Sequence, residues 1–304
     1  MVRPELLRKC FWAGQKEAIR MSESKITALL AAALLLAGCG ERRAPNKHTG
    51  LRIVAVAPNV AEILYSLGLS NAVVGVSSYT AYPPEAAQKP SVGGTYDPHF
   101  EMIVALQPDL VVGLETQKDI AAQLKALGIP FLGVAHERIS EIMQSILTIG
   151  KACGAEAEAQ QLFQSLENNV GQASSLSAAA KPASHRRAGS LSYFKPKVLV
   201  CVGHDESLSR MYVAGKGTFY DELLERAGGT NACGESAAKY PEISPEGLTT
   251  MRPDVVIDIL PNPGHFTAGD WKPYRAVVIT NDYASIPGPR FVLLLQDFIN
   301  AIHE

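Results

Sequence analysis

The sequence has no excess of positive charge. Its 304 residues include 28 Lys and Arg against 30 Asp and Glu, a formal net charge of −2, and apart from His185-Arg186-Arg187 we find no basic run. Proteins that bind nucleic acids concentrate Lys and Arg, because contacts to phosphate supply most of the affinity. We therefore expect no nucleic-acid partner, and we interpret the basic run as part of a solvated loop.

Sequence signatures of several enzyme classes are also missing. The chain contains no nucleophile elbow G-x-S-x-G, no phosphate-binding loop and no dinucleotide-binding fingerprint. The segment Gly215-Lys216-Gly217 lacks the third glycine of such a fingerprint and the strand that should precede it. We predict that the chain is not an enzyme. Two other classes stay open, a hydrolase that degrades a bound solute and a purely structural lipoprotein.

No apolar run is long enough to span a bilayer, which requires roughly 20 residues. Residues 26–38 form an uncharged run of 13 residues that ends in Leu36-Ala37-Gly38 and is followed by Cys39. A short apolar run that ends in small residues indicates a secretory signal, and the four residues Leu36-Ala37-Gly38-Cys39 resemble the lipobox of bacterial lipoproteins. We expect a signal peptide over 1–38, a lipidated Cys39 and a flexible tether over 39–50.

This interpretation predicts an exported protein that is anchored to a membrane through Cys39, and it leaves open which membrane. Met21 with Lys25 is a better start for a signal than Met1, so residues 1–20 are interpreted as an upstream extension. Cysteines can pair in an oxidising compartment. Beyond Cys10 and Cys39 an odd number remains, which permits at most one internal bridge; the alternative is buried free thiols at Cys153, Cys201 and Cys233.

From residue 51 onward, short β-branched runs alternate with amphipathic segments, a pattern typical of parallel βαβ units. The predicted strands are 51–57, 72–77, 110–114, 131–134, 197–202, 255–260 and 276–280, and the predicted helices are 60–67, 100–106, 118–127, 218–226, 246–251 and a last helix from 290. The pattern predicts two α/β lobes, over 51–138 and 196–304, in a chain long enough for two separate cores.

Between the lobes the periodicity becomes helical. Apolar residues recur at helical spacing from 142 to 166, which predicts a linking helical segment over 139–170, with a break near Gly154 left open. Residues 171–195 are rich in Ala and Ser, and we interpret them as a surface insertion.

The two lobes contain a repeat. Leu64-x-x-x-Gly68-x-x-Asn71-Ala72 recurs as Leu224-x-x-x-Gly228-x-x-Asn231-Ala232. Glu101 precedes Asp109 by eight residues, as Glu246 precedes Asp254, and each aspartate follows a proline and begins an aliphatic run.

At these motifs, and at Gly75 to Pro84, Gly215 to Phe219 and Pro287 to Arg290, the chain resembles the helical-backbone, or class III, substrate-binding proteins of ABC importers for cobalamin, ferric siderophores and haem. The resemblance runs from about residue 51 to the C-terminus. It implies two doubly wound α/β lobes joined by a single long α-helix, with the ligand cleft between the lobes. The stretch from Gly75 to Pro84 is most similar to the members that bind vitamin B12.

The resemblance also implies a use for the repeat. In that family each lobe offers one glutamate to arginines of the permease, and the matching residues here are Glu101 and Glu246. We therefore expect an ABC permease and its ATPase as partners, and otherwise a monomer. The alternative is that both glutamates only stabilise the dipoles of the helices they begin.

For the ligand we expect a large metal chelate, with cobalamin first, then a ferric siderophore, then haem or a free metal ion. Aromatic rings offer broad, rigid contact surfaces for a macrocycle, and five tyrosines lie in loops expected at the cleft: Tyr79, Tyr82, Tyr96, Tyr240 and Tyr283. The resemblance adds the polar residues Asp282 and Arg290. At Tyr96 the B12-binding members have a tryptophan, so this position departs from their pattern.

We expect no resident cofactor and no metal site. Three histidines that follow strands, His136, His204 and His265, are weak candidates for ligands of a metal or of haem iron. Because they lack paired spacing, we favour solvent-exposed loop histidines.

Overall fold

The computed structural model describes residues 50–179, 195–236 and 238–303, and within these the side chains of 176–179 are not described. The predicted signal peptide, Cys10, Cys39, nearly all of the tether and the basic run at 185–187 lie outside these ranges. Among the residues that the structure describes, no helix is both long and apolar enough to cross a lipid bilayer.

The N-terminal lobe contains a four-stranded parallel sheet in the order β2-β1-β3-β4. Its elements are β1 (Ile53–Ala55), α1 (Pro58–Ser66), β2 (Val73–Val76), α2 (Phe100–Ala105), β3 (Leu110–Leu114), α3 (Lys118–Ala126) and β4 (Phe131–Val134). Helices cover both faces of the sheet, so its central strands are buried on both sides and consist of continuous aliphatic runs.

The linking segment contains two helices, α4 (Ile139–Cys153) and α5 (Glu156–Ala179). Between them Gly154 adopts a left-handed conformation with φ of 71°, which glycine reaches without steric cost. This is the break that the sequence analysis left open near Gly154. Helix α5 also continues through residues 171–179, which we had assigned to the Ala/Ser-rich insertion; residues 180–194 are not described.

The C-terminal lobe contains a mixed sheet in the order β10-β9-β5-β6-β8, and β7 pairs with the first residues of β5. Its elements are β5 (Lys197–His204), β6 (Met211–Val213), α6 (Phe219–Arg226), β7 (Thr230–Asn231), β8 (Glu242–Ile243), α7 (Pro245–Met251), β9 (Val255–Ile259), β10 (Ala276–Ile279) and α8 (Phe291–His303). Strands β5, β9 and β10 are parallel, whereas β6 runs antiparallel to β5 and to β8. The sequence analysis missed β6, β7 and β8.

The aspartate of the repeated Pro-Asp forms the same reciprocal pair of hydrogen bonds in both lobes, and we call this pair a bracket. The carboxylate of Asp109 accepts a hydrogen bond from the backbone N–H of Arg52 at 2.9 Å, and that of Asp254 accepts one from the backbone N–H of Lys197 at 2.8 Å. The backbone N–H groups of the two aspartates donate in return to the carbonyls of Arg52 and Lys197. Each bracket joins the beginnings of two adjacent parallel strands, β1 with β3 and β5 with β9.

The repeated glycines and the residues before Pro-Asp also match in conformation. Gly68 after α1 has φ of 72°, and Gly228 after α6 has φ of 88°. Gln107 after α2 and Arg252 after α7 have φ of 46° and 47°. The repeat therefore reflects two chain turns that both lobes share.

One hydrophobic core runs through both lobes. It joins buried side chains of β1 and α1 to those of β5, β9 and α8, such as Ile53, Leu64, Val198, Ile257 and Leu295. A smaller cluster belongs to each lobe alone, around Leu124 in the N-terminal lobe and around Trp271 in the C-terminal lobe. The expectation of two separate cores was therefore incomplete.

The cysteines of the described residues are free. Cys201 and Cys233 are buried, and Cys153 is half-buried. Burial raises the pKa of Cys201 to about 12, so this thiol stays protonated at neutral pH. The structure thus agrees with the prediction of buried free thiols for two of the three.

Candidate functional site

Three loops meet at the carboxyl ends of the N-terminal strands. The N–H of Ser78 donates to the carbonyl of Gly93 at 2.8 Å, which ties the loop after β2 to the segment that follows it. Gln117, which is buried, donates to the carbonyl of Thr95 at 2.5 Å and accepts from the N–H of Leu114 at 2.7 Å. These bonds fix a rigid edge that can present side chains to a ligand.

Two of the predicted ligand-binding residues, Tyr79 and Tyr96, lie on this edge. Their side chains are 67% and 70% exposed, although large apolar side chains are usually covered in a protein of this size. The Tyr79 ring lies against the backbone of Gly94. The structure therefore brings these two tyrosines to the same side of the N-terminal lobe.

On the C-terminal side, Tyr240 lies beside a contact between the lobes. Its neighbour Lys239 forms an ion pair with Glu137, which lies in the loop that follows β4. Tyr240 remains partly exposed. Burial, and then the negative charge of Glu137, raise the pKa of Tyr240, so its hydroxyl is neutral and can donate a hydrogen bond at physiological pH.

Arg290 connects the two lobes. Its Nε and Nη2 donate to the two carboxylate oxygens of Glu62, in α1, at 3.1 and 2.5 Å. Its Nη1 and Nη2 donate to the two carboxylate oxygens of Asp282 at 2.9 Å each. The exposed fraction of the side chain is 2% for Glu62, 13% for Arg290 and 49% for Asp282. The guanidinium is thus held between one buried and one half-exposed carboxylate.

The charges of this cluster depend on one another. Burial raises the pKa of Glu62, and the hydrogen bonds from Arg290 oppose that rise. The hydrogen bonds from Arg290 lower the pKa of Asp282. Burial alone would lower the pKa of Arg290, but the two carboxylates together raise it. A cluster of two carboxylates and one guanidinium carries a formal charge of −1.

Two predicted tyrosines complete this cluster. The guanidinium carbon of Arg290 lies 3.8 Å from the centre of the Tyr82 ring and 5.6 Å from that of Tyr283, within the range of cation–π attraction. The hydroxyl of Tyr283 donates to Asp297 at 2.8 Å, and its ring packs against the shared core. Tyr82, Asp282, Tyr283 and Arg290 therefore come together, and Tyr283 directs its hydroxyl toward α8.

Sequence reasoning missed Glu62. The available signal was its position, since it is the one charged side chain in the otherwise apolar first helix segment 60–64. A carboxylate on the buried face of a helix requires a cationic or hydrogen-bonding partner. The sequence could have indicated that a partner exists but not that the partner is Arg290, which is 228 residues away.

His204 is neither a solvent-exposed loop residue nor an open metal ligand. Its ring is 3% exposed, with Nε2 3.1 Å from a carboxylate oxygen of Asp258 and Nδ1 2.8 Å from the carbonyl of Asp205. Trp271 donates to the same oxygen of Asp258 at 2.9 Å. Both ring nitrogens thus have partners, and His204 helps to hold the loop after β9 against the sheet.

The other two histidines lie apart from this arrangement. His136 is half-buried, and burial is the main cause that lowers its pKa, whereas His265 is exposed. No group of three or more His, Cys, Asp or Glu side chains within the described ranges is arranged to hold a metal ion.

The two glutamates of the repeat occupy matching positions. Glu101 lies in the first turn of α2 and Glu246 in the first turn of α7, and both are exposed. A hydrogen bond from Ser244 lowers the pKa of Glu246. Neither glutamate forms a salt bridge with another described residue. Both carboxylates are therefore available at the surface.

Residues 53–258 match the model of the periplasmic binding protein family, a range that includes most of both lobes. The chain is 27% identical to the uncharacterized ABC transporter substrate-binding lipoprotein YvrC of Bacillus subtilis, over 91% of this chain and 95% of that protein. It is also 27% identical to the vitamin B12-binding protein of Salmonella typhimurium, over 83% and 90%.

A solved structure has the same fold. The periplasmic heme-binding protein RhuT from Roseiflexus sp. RS-1 superimposes with a TM-score of 0.69 and 25% identity, over 84% of this chain and 98% of that one.

Proposed function

The chain belongs to the periplasmic binding protein family, and on that premise we propose that it is the substrate-binding component of an ABC importer. The observation that carries the proposal is the family match over residues 53–258, which includes the N-terminal lobe from β1, the joining helices and the C-terminal lobe as far as β9. The similarity to YvrC over nearly the full length of both chains supports it. The chain is a binding protein and not an enzyme.

For the ligand, we propose a large metal chelate, with cobalamin first. The similarity to the Salmonella vitamin B12-binding protein favours a corrinoid. The exposed rings of Tyr79, Tyr82, Tyr96 and Tyr240 support a broad, partly apolar ligand, because such rings offer rigid contact area at low entropic cost. Haem is the second candidate, which the likeness to RhuT favours. A ferric siderophore and a free metal ion remain as the other outcomes of the test.

We propose that Glu101 and Glu246 dock the protein on the permease and its ATPase, one glutamate for each lobe. Their exposure, their matching positions and their availability for an ion pair support this role. Exposed ion pairs contribute only about 0.2 to 1 kcal/mol each. Two separated pairs would therefore set the orientation of the complex more than its affinity.

We propose that the mature protein is exported and held at the membrane through a lipid on Cys39. The lipobox-like sequence Leu36 to Cys39 and the similarity to a lipoprotein support this. The shared core and the helical link favour small rotations of the lobes on binding over a wide hinge movement.

Titration of the purified chain with cyanocobalamin, haem and a ferric siderophore, followed by absorbance, tests the ligand. We expect stoichiometric binding of cyanocobalamin, with the ligand recovered unchanged. Stronger binding of haem than of cyanocobalamin would indicate haem, the second candidate, as the ligand. Turnover of the bound compound, or no binding of any chelate, would contradict the proposed function.

A further inference from the structure

Most of the hydrogen-bonding capacity of Arg290 is used within the cluster that it forms with Glu62 and Asp282. A guanidinium has five N–H donors, and four of them are used here: Nε–H, both hydrogens of Nη2 and one of Nη1. The Tyr82 ring covers one face of the same group. A ligand carboxylate could therefore obtain a two-bond contact with Arg290 only by displacing Asp282 or Glu62.

The loops that carry the exposed tyrosines of the N-terminal lobe supply no Lys or Arg. Residues 77–84 and 93–99, which carry three of the exposed tyrosines, contain no Lys or Arg but do contain the exposed Asp97. Lys239, near Tyr240, is already paired with Glu137. An anionic group that enters between the lobes thus meets a net negative cluster, and like charges at close range repel more strongly when water is excluded.

A neutral amide meets different conditions. The outer part of Asp282 is half exposed, so its carboxylate can accept a hydrogen bond from an amide N–H without leaving Arg290. The remaining hydrogen of Nη1 can donate to an amide oxygen. Cobalamin carries amide side chains around its ring, whereas haem carries two carboxylates.

From these contacts we propose that Glu62, Arg290 and Asp282 select ligands by charge: the cluster admits a chelate with neutral amides at its rim and disfavours one with free carboxylates. Glu62 and Asp282 then act as specificity-determining residues. This inference rests on the proposed function, because it presupposes that the cleft binds a chelate.

Two matched pairs of probes test the selection with the purified full-length chain in detergent. The first pair is cyanocobalamin and its monocarboxylic acids, in each of which one amide is hydrolysed to a carboxylate. The second pair is haem and its dimethyl ester. Within each pair we expect the neutral member to bind about tenfold more tightly or better, the size of effect that a like-charge contact produces.

Substitutions in the cluster test whether Glu62 and Asp282 cause the preference for the neutral ligands. In Asp282→Asn the formal charge of the cluster rises from −1 to 0, and we expect the preference to fall to about threefold or less. Glu62→Gln should act in the same direction. Because Glu62 is buried and this variant can fail to fold, the half-exposed Asp282 carries the test. Glu158→Gln, an exposed carboxylate on the linking helix α5, should leave the preference unchanged.

The possible results distinguish a failure of the charge selection from a failure of the proposed chelate-binding function. If the wild-type chain binds these chelates but prefers the carboxylate members, or if folded Asp282→Asn keeps the full preference, the charge selection is wrong and the proposed function stands. If the wild-type chain binds no chelate of either pair, both the selection and the chelate-binding function are wrong.

Discussion

In the N-terminal lobe, α2 places the exposed side chains of Met102 and Val104 beside Glu101. In the C-terminal lobe, α7 carries Thr249 and Thr250 after Glu246, and both hydroxyls donate back to carbonyls of their own helix. The strand behind each helix is nevertheless bracketed by the same Pro-Asp contacts. The repeat thus has an internal half that is the same in both lobes and fixes the backbone, and an external half whose surroundings differ between the lobes.

The largest expected effect concerns the core that the lobes share. Leu124→Ala creates a cavity in the cluster that belongs to the N-terminal lobe alone, and such changes cost about 2 to 5 kcal/mol. Because one core joins the lobes, we expect the C-terminal lobe to unfold at the same lower denaturant concentration. Trp271 is the one tryptophan of the sequence after residue 38, so its fluorescence in the chain without the predicted signal peptide reports that lobe. An unchanged Trp271 transition beside a shifted circular dichroism transition would show that the lobes unfold independently.

The hydrogen bonds accepted by Asp109 and by Asp254 should contribute differently to the free energy of unfolding. Asp109→Ala and Asp254→Ala each remove a hydrogen bond to a backbone N–H, and we expect losses of about 1 to 2 kcal/mol in the free energy of unfolding. The loss should be greater for Asp109, since its contact to Arg52 is partly buried whereas the contact of Asp254 to Lys197 is exposed. Urea unfolding measures both, with Glu158→Ala as the exposed control. A larger loss at Asp254 would contradict the ranking.

The smallest effect concerns single substitutions of Glu101 and Glu246, the two glutamates that we propose dock on the permease. Replacement of either by Ala should weaken association with the permease by about 0.2 to 1 kcal/mol, roughly up to fivefold. We expect the greater loss for Glu101, because the exposed side chains of Met102 and Val104 would be covered together with it on docking, and the loss of water there would strengthen an ion pair. Uptake measured over a range of binding-protein concentrations compares the two variants. Equal losses would indicate that the apolar neighbours do not matter.

Much of this comparison could be predicted from the sequence. Continuous aliphatic runs are typical of parallel strands that are buried on both faces. The eight-residue spacing from glutamate to aspartate indicated the segments that repeat in the two lobes. The short strands β6, β7 and β8 were missed because segments of two or three residues have no period of their own and are fixed by pairing with β5 and with one another.

The site was less predictable than the fold. Tyr82 and Arg290 were both expected near the ligand, but their contact depends on how the lobes pack. Glu62 was overlooked because its partner is distant in sequence. His204 was expected after a strand, where a ligand-binding residue could lie. Its ring instead contacts Asp258 inside the C-terminal lobe, and Trp271 donates to the same carboxylate. In each case contacts between distant segments, and not the local pattern, decide the role of the residue.

The central claim is that each lobe contributes one docking glutamate that takes no part in binding the ligand. Its most direct test is the double variant Glu101→Ala/Glu246→Ala, with permease-dependent uptake of cyanocobalamin and its dissociation constant measured on the same preparation. We expect that uptake is lost while the dissociation constant stays at the wild-type value. Unchanged uptake, or a loss of cyanocobalamin affinity, would contradict it.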